Sequence, residues 1–124
     1  MHVFKKKVEL SNFYTAYVNI INGILRLSKK ECEVFSLLLE SCKKEESNGL
    51  LTSGVRANVM TKLGMSASNF SRCIRTFREK GIVSQANDRD LRITRTLFPA
   101  IENDTCSITY NLNIVTDHVD TNVK

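Results

Sequence analysis

Proline occurs once in this sequence, at Pro99, and histidine twice, at His2 and His118; no low-complexity stretch or internal repeat is present. Each scarcity narrows the field. With both histidines near the ends, Ser-His and Cys-His catalysis lack a base placed to activate a nucleophile. No glycine-rich phosphate loop and no paired-carboxylate site is visible, so the sequence argues against an enzyme. The four cysteines, Cys32, Cys42, Cys73 and Cys106, lie 10, 31 and 33 residues apart with no Cys-x-x-Cys pair. Zinc is thereby left without closely spaced ligands. No metal, cofactor or catalytic residue is expected. Three of the four cysteines fall in apolar stripes, the usage of free thiols in a reducing cytoplasm. No apolar run reaches about 18 residues, and Lys5-Lys6-Lys7 is not followed by an apolar stretch long enough for a leader. Neither export nor a membrane is expected.

What is present suits one folded unit. The chain has 124 residues, 42% of them hydrophobic, enough to bury a single core without metal or disulfides. The net charge of +5 is unevenly spread: nine basic residues face three acidic ones between Asn48 and Phe98, but one faces four from Pro99 to Lys124. An anionic partner is therefore to be sought in the middle of the chain.

Loop signals at Glu45 to Gly49, Asn87 to Asp90 and Glu102 to Thr105 divide the chain into a helical half before Gly81 and a strand-like half after it. From Asn12 to Ile24, Phe13, Ala16, Tyr17, Ile20 and Ile24 recur at helical spacing, although the aromatic and β-branched content leaves a strand open. Ser28-Lys29-Lys30-Glu31 has the form of a capping box, with Leu27 and Cys32 placed as a hydrophobic staple. Val34, Phe35, Leu38 and Cys42 form the buried stripe of the helix that follows. Another helix is expected from about Ser53 to Leu63, ended by Gly64 in a left-handed conformation. Ser66 then starts the next, with Met65 and Phe70 as its staple and no breaker until Gly81.

Two helices joined by so short a Gly-containing turn form a helix-turn-helix by spacing alone. On the second, Phe70, Cys73, Ile74 and Phe77 take the core face. At about 100° per residue the opposite face carries Ser68, Arg72, Arg75 and Glu79, flanked by Asn69, Ser71 and Thr76. Ile82 to Ala86 and Leu91 to Phe98 read as two strands around the Asn87-Asp88-Arg89-Asp90 turn, with Arg92 on the polar side of the second. The cleanest alternation in the chain, Cys106, Ile108, Tyr110, Leu112 and Ile114 against Ser107, Thr109, Asn111 and Asn113, reads as a third, half-buried strand.

This arrangement has the chemistry to read duplex DNA. Arg72 can bond bidentately to guanine and Asn69 to adenine, and Ser68 and Thr76 can bond to a base or to phosphate. Ser66, Ser71, Arg75 and Arg78 are placed for the phosphate backbone, Ser66 with the free amides of a helix N-terminus. Arg75 also stands four residues from Glu79, the spacing of an ordinary surface ion pair.

The run Lys62-Leu63-Gly64-Met65-Ser66-Ala67-Ser68-Asn69-Phe70-Ser71-Arg72, continuing through Ile74, Arg75 and Phe77 to Glu79-Lys80-Gly81-Ile82-Val83, resembles the winged helix-turn-helix families typified by MarR-type regulators. The resemblance implies an α+β fold in which three to four helices precede a two- to three-stranded antiparallel sheet. It implies one domain over residues 1–115: a lead-in over 1–27, a helical core over 28–80, and a wing with a final strand over 81–115. A flexible tail over 116–124 would follow. It places Ser68, Asn69 and Arg72 at bases, and Arg89 and Arg92 at the minor groove or its flanking phosphates. Arg95 belongs to the same wing but alternates with Leu91, Ile93 and Leu97, an inner-edge position from which it would snorkel outward. MarR-type proteins dimerise through helices at both ends, whereas this chain ends in a strand and an acidic tail, so that dimer is not implied. The short lead-in, the wing running into Leu97-Phe98-Pro99 and the final strand are similar to replication-initiator winged helices of plasmids and phages.

The expectation is thus a cytoplasmic, sequence-specific binder of double-stranded DNA, acting as a homodimer on a symmetric site. Transcription regulation, or replication or partition of a phage or mobile element, would be its task. The competing expectation is a protein-interaction module of a phage particle or nucleoprotein assembly, motivated by the alternating strand and the acidic C-terminal segment.

Overall fold

All the helices precede the strands. The computed structural model describes residues 7–9, 12–102 and 105–107. Helices α1 (Phe13–Leu25), α2 (Lys29–Lys44), α3 (Ser53–Leu63) and α4 (Ala67–Glu79) lead into an antiparallel hairpin of β1 (Val83–Gln85) and β2 (Leu91–Ile93). A 3₁₀ turn at Arg95–Leu97 and a second small hairpin, β3 (Ile101–Glu102) with β4 (Thr105–Cys106), follow. The class is α+β, as expected, and the layout is compatible with a winged helix.

Local chemistry fixes most boundaries. The capping box of α2 is complete: Glu31 N–H donates to Ser28 Oγ (3.2 Å) and Ser28 N–H donates to Glu31 Oε1 (2.9 Å). Thr52 caps α3 by accepting from Val55 N–H, and Ser66 caps α4 by accepting from Asn69 N–H. Between these helices Gly64 takes φ 61° and ψ 35°, the left-handed conformation that a residue without Cβ adopts without strain. That single turn sets the angle at which α4 leaves α3.

The core joins every element up to β2. Val18 and Ile21 of α1, Val34, Phe35, Leu38 and Leu39 of α2, Val55 and Val59 of α3, and Phe77 of α4 are buried together with Ile82 and Ile93. The Phe35 and Phe77 rings meet at 5.9 Å between centroids, so the central pair of the core ties α4 to α2.

Three details differ from the sequence expectation. In α1 the buried residues are Tyr17, Val18 and Ile21, while Ile20 and Ile24 stay 48% exposed. The second strand ends at Ile93 instead of Phe98. Thr94 N–H donates to Ile82 O, its hydroxyl donates to Gly81 O (2.6 Å), and the chain turns into the 3₁₀ segment. There Leu97 O accepts the Tyr17 hydroxyl (2.7 Å), anchoring the turn on α1. Third, the extra strand of the first hairpin comes from an unforeseen place: Leu50 bridges antiparallel to Arg92, flanked by Leu51 N–H to Leu91 O (3.0 Å) and Ile93 N–H to Gly49 O (2.9 Å). Beyond Ser107, the strand expected over Cys106 to Ile114 lies outside the described residues, as does the 116–124 tail; Cys106 itself pairs with Ile101.

Gly49 shows how tightly this strand is seated. Its φ is +88°, and a Cβ there would stand 3.2 Å from Arg92 Nη2. Gly49→Ala is expected to destabilise the fold by about 1–3 kcal/mol, combining left-handed strain with displacement of Arg92. Urea unfolding followed by circular dichroism measures it, and an unchanged midpoint would contradict the packing of this strand on β2.

Candidate functional site

Helix α4 is held by one side only. Phe70 and Phe77 are buried, and Cys73 and Ile74 are half-buried against the core. The other side leaves Ser68, Asn69, Ser71, Arg72, Arg75, Arg78 and Glu79 exposed. Four of the expected residues, Ser68, Asn69, Arg72 and Arg75, therefore share one open face. Thr76 stands apart from them: it is half-buried, and its hydroxyl donates to Arg72 O (3.3 Å), turned toward its own helix.

At the start of α4 the Ser66 oxygen accepts from Asn69 N–H (3.1 Å), leaving its own proton to donate outward. The amides of Ala67 and Ser68, in the first turn, have no carbonyl within the helix to bond. Arg72 and Arg75 carry unpaired charge, because the one ion pair among the described residues joins Lys62 Nζ to Glu40 Oε1 at 3.9 Å. The Arg75–Glu79 pair that the spacing permitted is not formed.

The flank of α4 nearer the hairpin is tied to it. Arg78 Nη2 donates to Gln85 Oε1 (3.4 Å), and Gln85 Nε2 donates to Asn87 O (2.6 Å) and Asp90 O (3.4 Å). At the tip, Asn87 Oδ1 accepts from both Arg89 N–H and Asp90 N–H at 2.9 Å, a side-chain turn that fixes the loop around the exposed Arg89. Arg92 is placed otherwise than its strand position implied. It is half-buried, its Nη2 donating to Asn48 O (2.9 Å) and its Nε to Ile93 O (3.3 Å), so it braces the hairpin to the chain before α3. Arg95 is exposed, but it lies in the 3₁₀ turn beyond the hairpin and not in its inner edge. No local pattern signals the Arg92 brace, since its partners are backbone carbonyls 44 residues and one residue away.

The other flank of α4 is tied at its end to the turn before α2, Lys80 Nζ donating to Leu25 O and Arg26 O. Burial pushes the Cys73 thiol up and Glu31 raises it further, while Lys30 and then Arg72 pull it back. Burial raises Cys32, Cys42 and Cys106 as well, so all four cysteines favour the thiol over the nucleophilic thiolate. Among the described residues, no helix is long and apolar enough to cross a membrane, and no three His, Cys, Asp or Glu side chains group as a metal-binding set. No family model, curated protein or solved structure matches the chain.

Proposed function

We propose that the chain binds double-stranded DNA, with α4 in the major groove and the β1–β2 hairpin as a wing over the adjacent groove. One observation carries this reading: Ser68, Asn69, Arg72 and Arg75 share an open face of α4, their side chains without partners among the described residues, while the opposite face is buried. Unpaired guanidinium groups on a rigid helix suit an anionic, hydrogen-bonding groove, and an Arg fork fits the O6 and N7 of guanine. Asn69 would read adenine, with Ser68 beside it. Ser66, Ser71, Arg75 and Arg78 would meet phosphates. Arg89 would reach the backbone from the wing tip, and Arg92 would support it from below.

The role that fits is sequence-specific: transcription regulation, or replication or partition of a phage or mobile element, in the cytoplasm. A homodimer on a palindromic site is the proposed assembly. A protein-assembly module is the second reading, favoured by α1, which has no charged residue and leaves Ile20 and Ile24 48% exposed.

Retention of pooled random duplexes at roughly 50 and 200 mM salt separates the two, because affinity built on phosphate contacts falls steeply over that range. No retention at either salt would rule out DNA and leave the assembly module. Arg89→Ala is expected to weaken binding to every sequence alike and to flatten the dependence of log K on log salt by about 1. An unchanged slope would remove the wing tip from the interface. Selection of bound sequences from a random library would then give the target, a palindrome marking the dimer.

A further inference from the structure

We infer that the turn between α1 and α2 is a second phosphate-binding surface, carried by Arg26, Lys29 and Lys30, which grips the DNA backbone on the side of α4 away from the wing. This rests on the DNA reading above and extends it to Lys29 and Lys30, which the sequence assigns only to a helix start, and to Arg26 at the end of α1.

The placement is fixed by hydrogen bonds. Lys80 Nζ, just beyond α4, donates to Leu25 O (3.0 Å) and Arg26 O (2.9 Å), joining the turn to the end of α4. Further up, Lys29 and Lys30 open α2, the helix whose Phe35 ring meets Phe77 of α4 at 5.9 Å between centroids. Around the helix axis Cys73 lies about 100° from Arg72 in one direction, and Arg78, tied to the wing, about 120° in the other. The turn and the wing therefore bracket the outward face. A helix seated in a major groove about 12 Å wide has a phosphate rail on either side, and cations on both flanks meet both rails.

The charge is free to act. Arg26, Lys29 and Lys30 are exposed, and none is in an ion pair among the described residues. Of the nearby acids, Glu31 is tied back to Ser28 N–H by the capping box, and Glu33 is exposed further along α2. Lys80 adds a fourth cation to the same corner.

The backbone gives an independent sign. Arg26 has φ 58° and ψ 50° at the end of α1, a conformation that costs a residue with a Cβ and that glycine adopts freely. The turn does not depend on the arginine side chain for its shape. Asn22 holds it, accepting from Leu27 N–H (2.7 Å) and donating to Leu27 O (3.2 Å). A long cation at a strained position, without a partner among the described residues, points to a use outside the fold.

The test is a salt titration of binding to a pooled random duplex. K29Q/K30Q is expected to lower the slope of log K against log salt by about 2, at about 0.9 for each phosphate that is no longer neutralised. K43Q/K44Q removes the same charge at the far end of α2 and is expected to move the slope much less. Arg26→Gly relieves the left-handed strain, so its melting midpoint is expected at or above the wild type while its slope falls by about 1. A slope unchanged in K29Q/K30Q, or lowered equally by K43Q/K44Q, overturns the inference and leaves the α4 reading standing. Should the wild type bind no duplex, the DNA reading falls first, and this surface with it.

Discussion

Phe77→Ala is expected to remove about 3–5 kcal/mol of folding stability, the cost of emptying an aromatic position in a packed core. Phe77 has no exposed surface and its ring stands 5.9 Å from that of Phe35. The loss combines transfer of the ring to water, the cavity left between α2 and α4, and the interaction with the tilted Phe35 ring, aromatic pairs being worth about 0.5–1.5 kcal/mol. Against a total stability of about 5–15 kcal/mol for a domain, such a loss is a large fraction of the whole and leaves a domain at the low end of that range marginal or unfolded. Equilibrium urea unfolding by circular dichroism measures it. A loss below about 1.5 kcal/mol would mean that α4 is not anchored through this pair, since even modest core truncations reach that size. The consequence reaches the functional face, because the ring that holds α4 in place lies across the helix from Arg72.

That helix was the most legible part of the sequence, for a physical reason. Its apolar residues fill one face and its polar residues the other, and Ser66 and Gly64 punctuate its start with chemistry that few other residues supply. Phe70 and Phe77 are buried, and Ser68 and Arg72 exposed, as the spacing requires. Helix α1 is the opposite case. It is apolar almost all round, so its spacing fitted Phe13, Ala16, Tyr17, Ile20 and Ile24, whereas the core took Tyr17, Val18 and Ile21. Periodicity locates a buried face only where a polar face contrasts with it.

The strand-forming half was less legible because its geometry is set by partners distant in sequence. Alternation continues from Leu91 to Leu97, but strand pairing stops at Ile93, where Thr94 bonds back to Gly81 and Ile82, and Tyr17 takes the carbonyl of Leu97 from 80 residues away. The same holds for Leu50 and Leu51. Lying between Gly49 and the capping Thr52, they form an apolar pair too short to read as a strand, yet they pair with β2. Arg92 illustrates the effect on function: polar alternation put it on the outer side of the wing, while a half-buried position beside Gly49 lets it bond to Asn48 O. Local pattern identifies a side chain's chemistry, and tertiary contacts decide whether that chemistry is spent inside the fold.

By that criterion Arg72 is the side chain whose removal should cost binding most. It is exposed on the open face of α4, and among the described residues it has no ion pair and only its backbone carbonyl is engaged, by Thr76. If its guanidinium bonds bidentately to a base pair, Arg72→Ala should weaken binding to the selected target by about 1–3 kcal/mol, roughly 5- to 150-fold. Random duplex should lose only what one phosphate interaction supplies. The preference between bases at one position of the selected site should flatten as well. Arg72→Lys sharpens the test, because lysine keeps the charge and lacks the planar fork: it should restore binding to random duplex but not the discrimination. Titrations of both variants on selected and random duplexes at one salt concentration decide the matter. An equal loss on the two duplexes, recovered fully by lysine, would make Arg72 a phosphate ligand and move base reading to Ser68 and Asn69, one turn nearer the start of the helix.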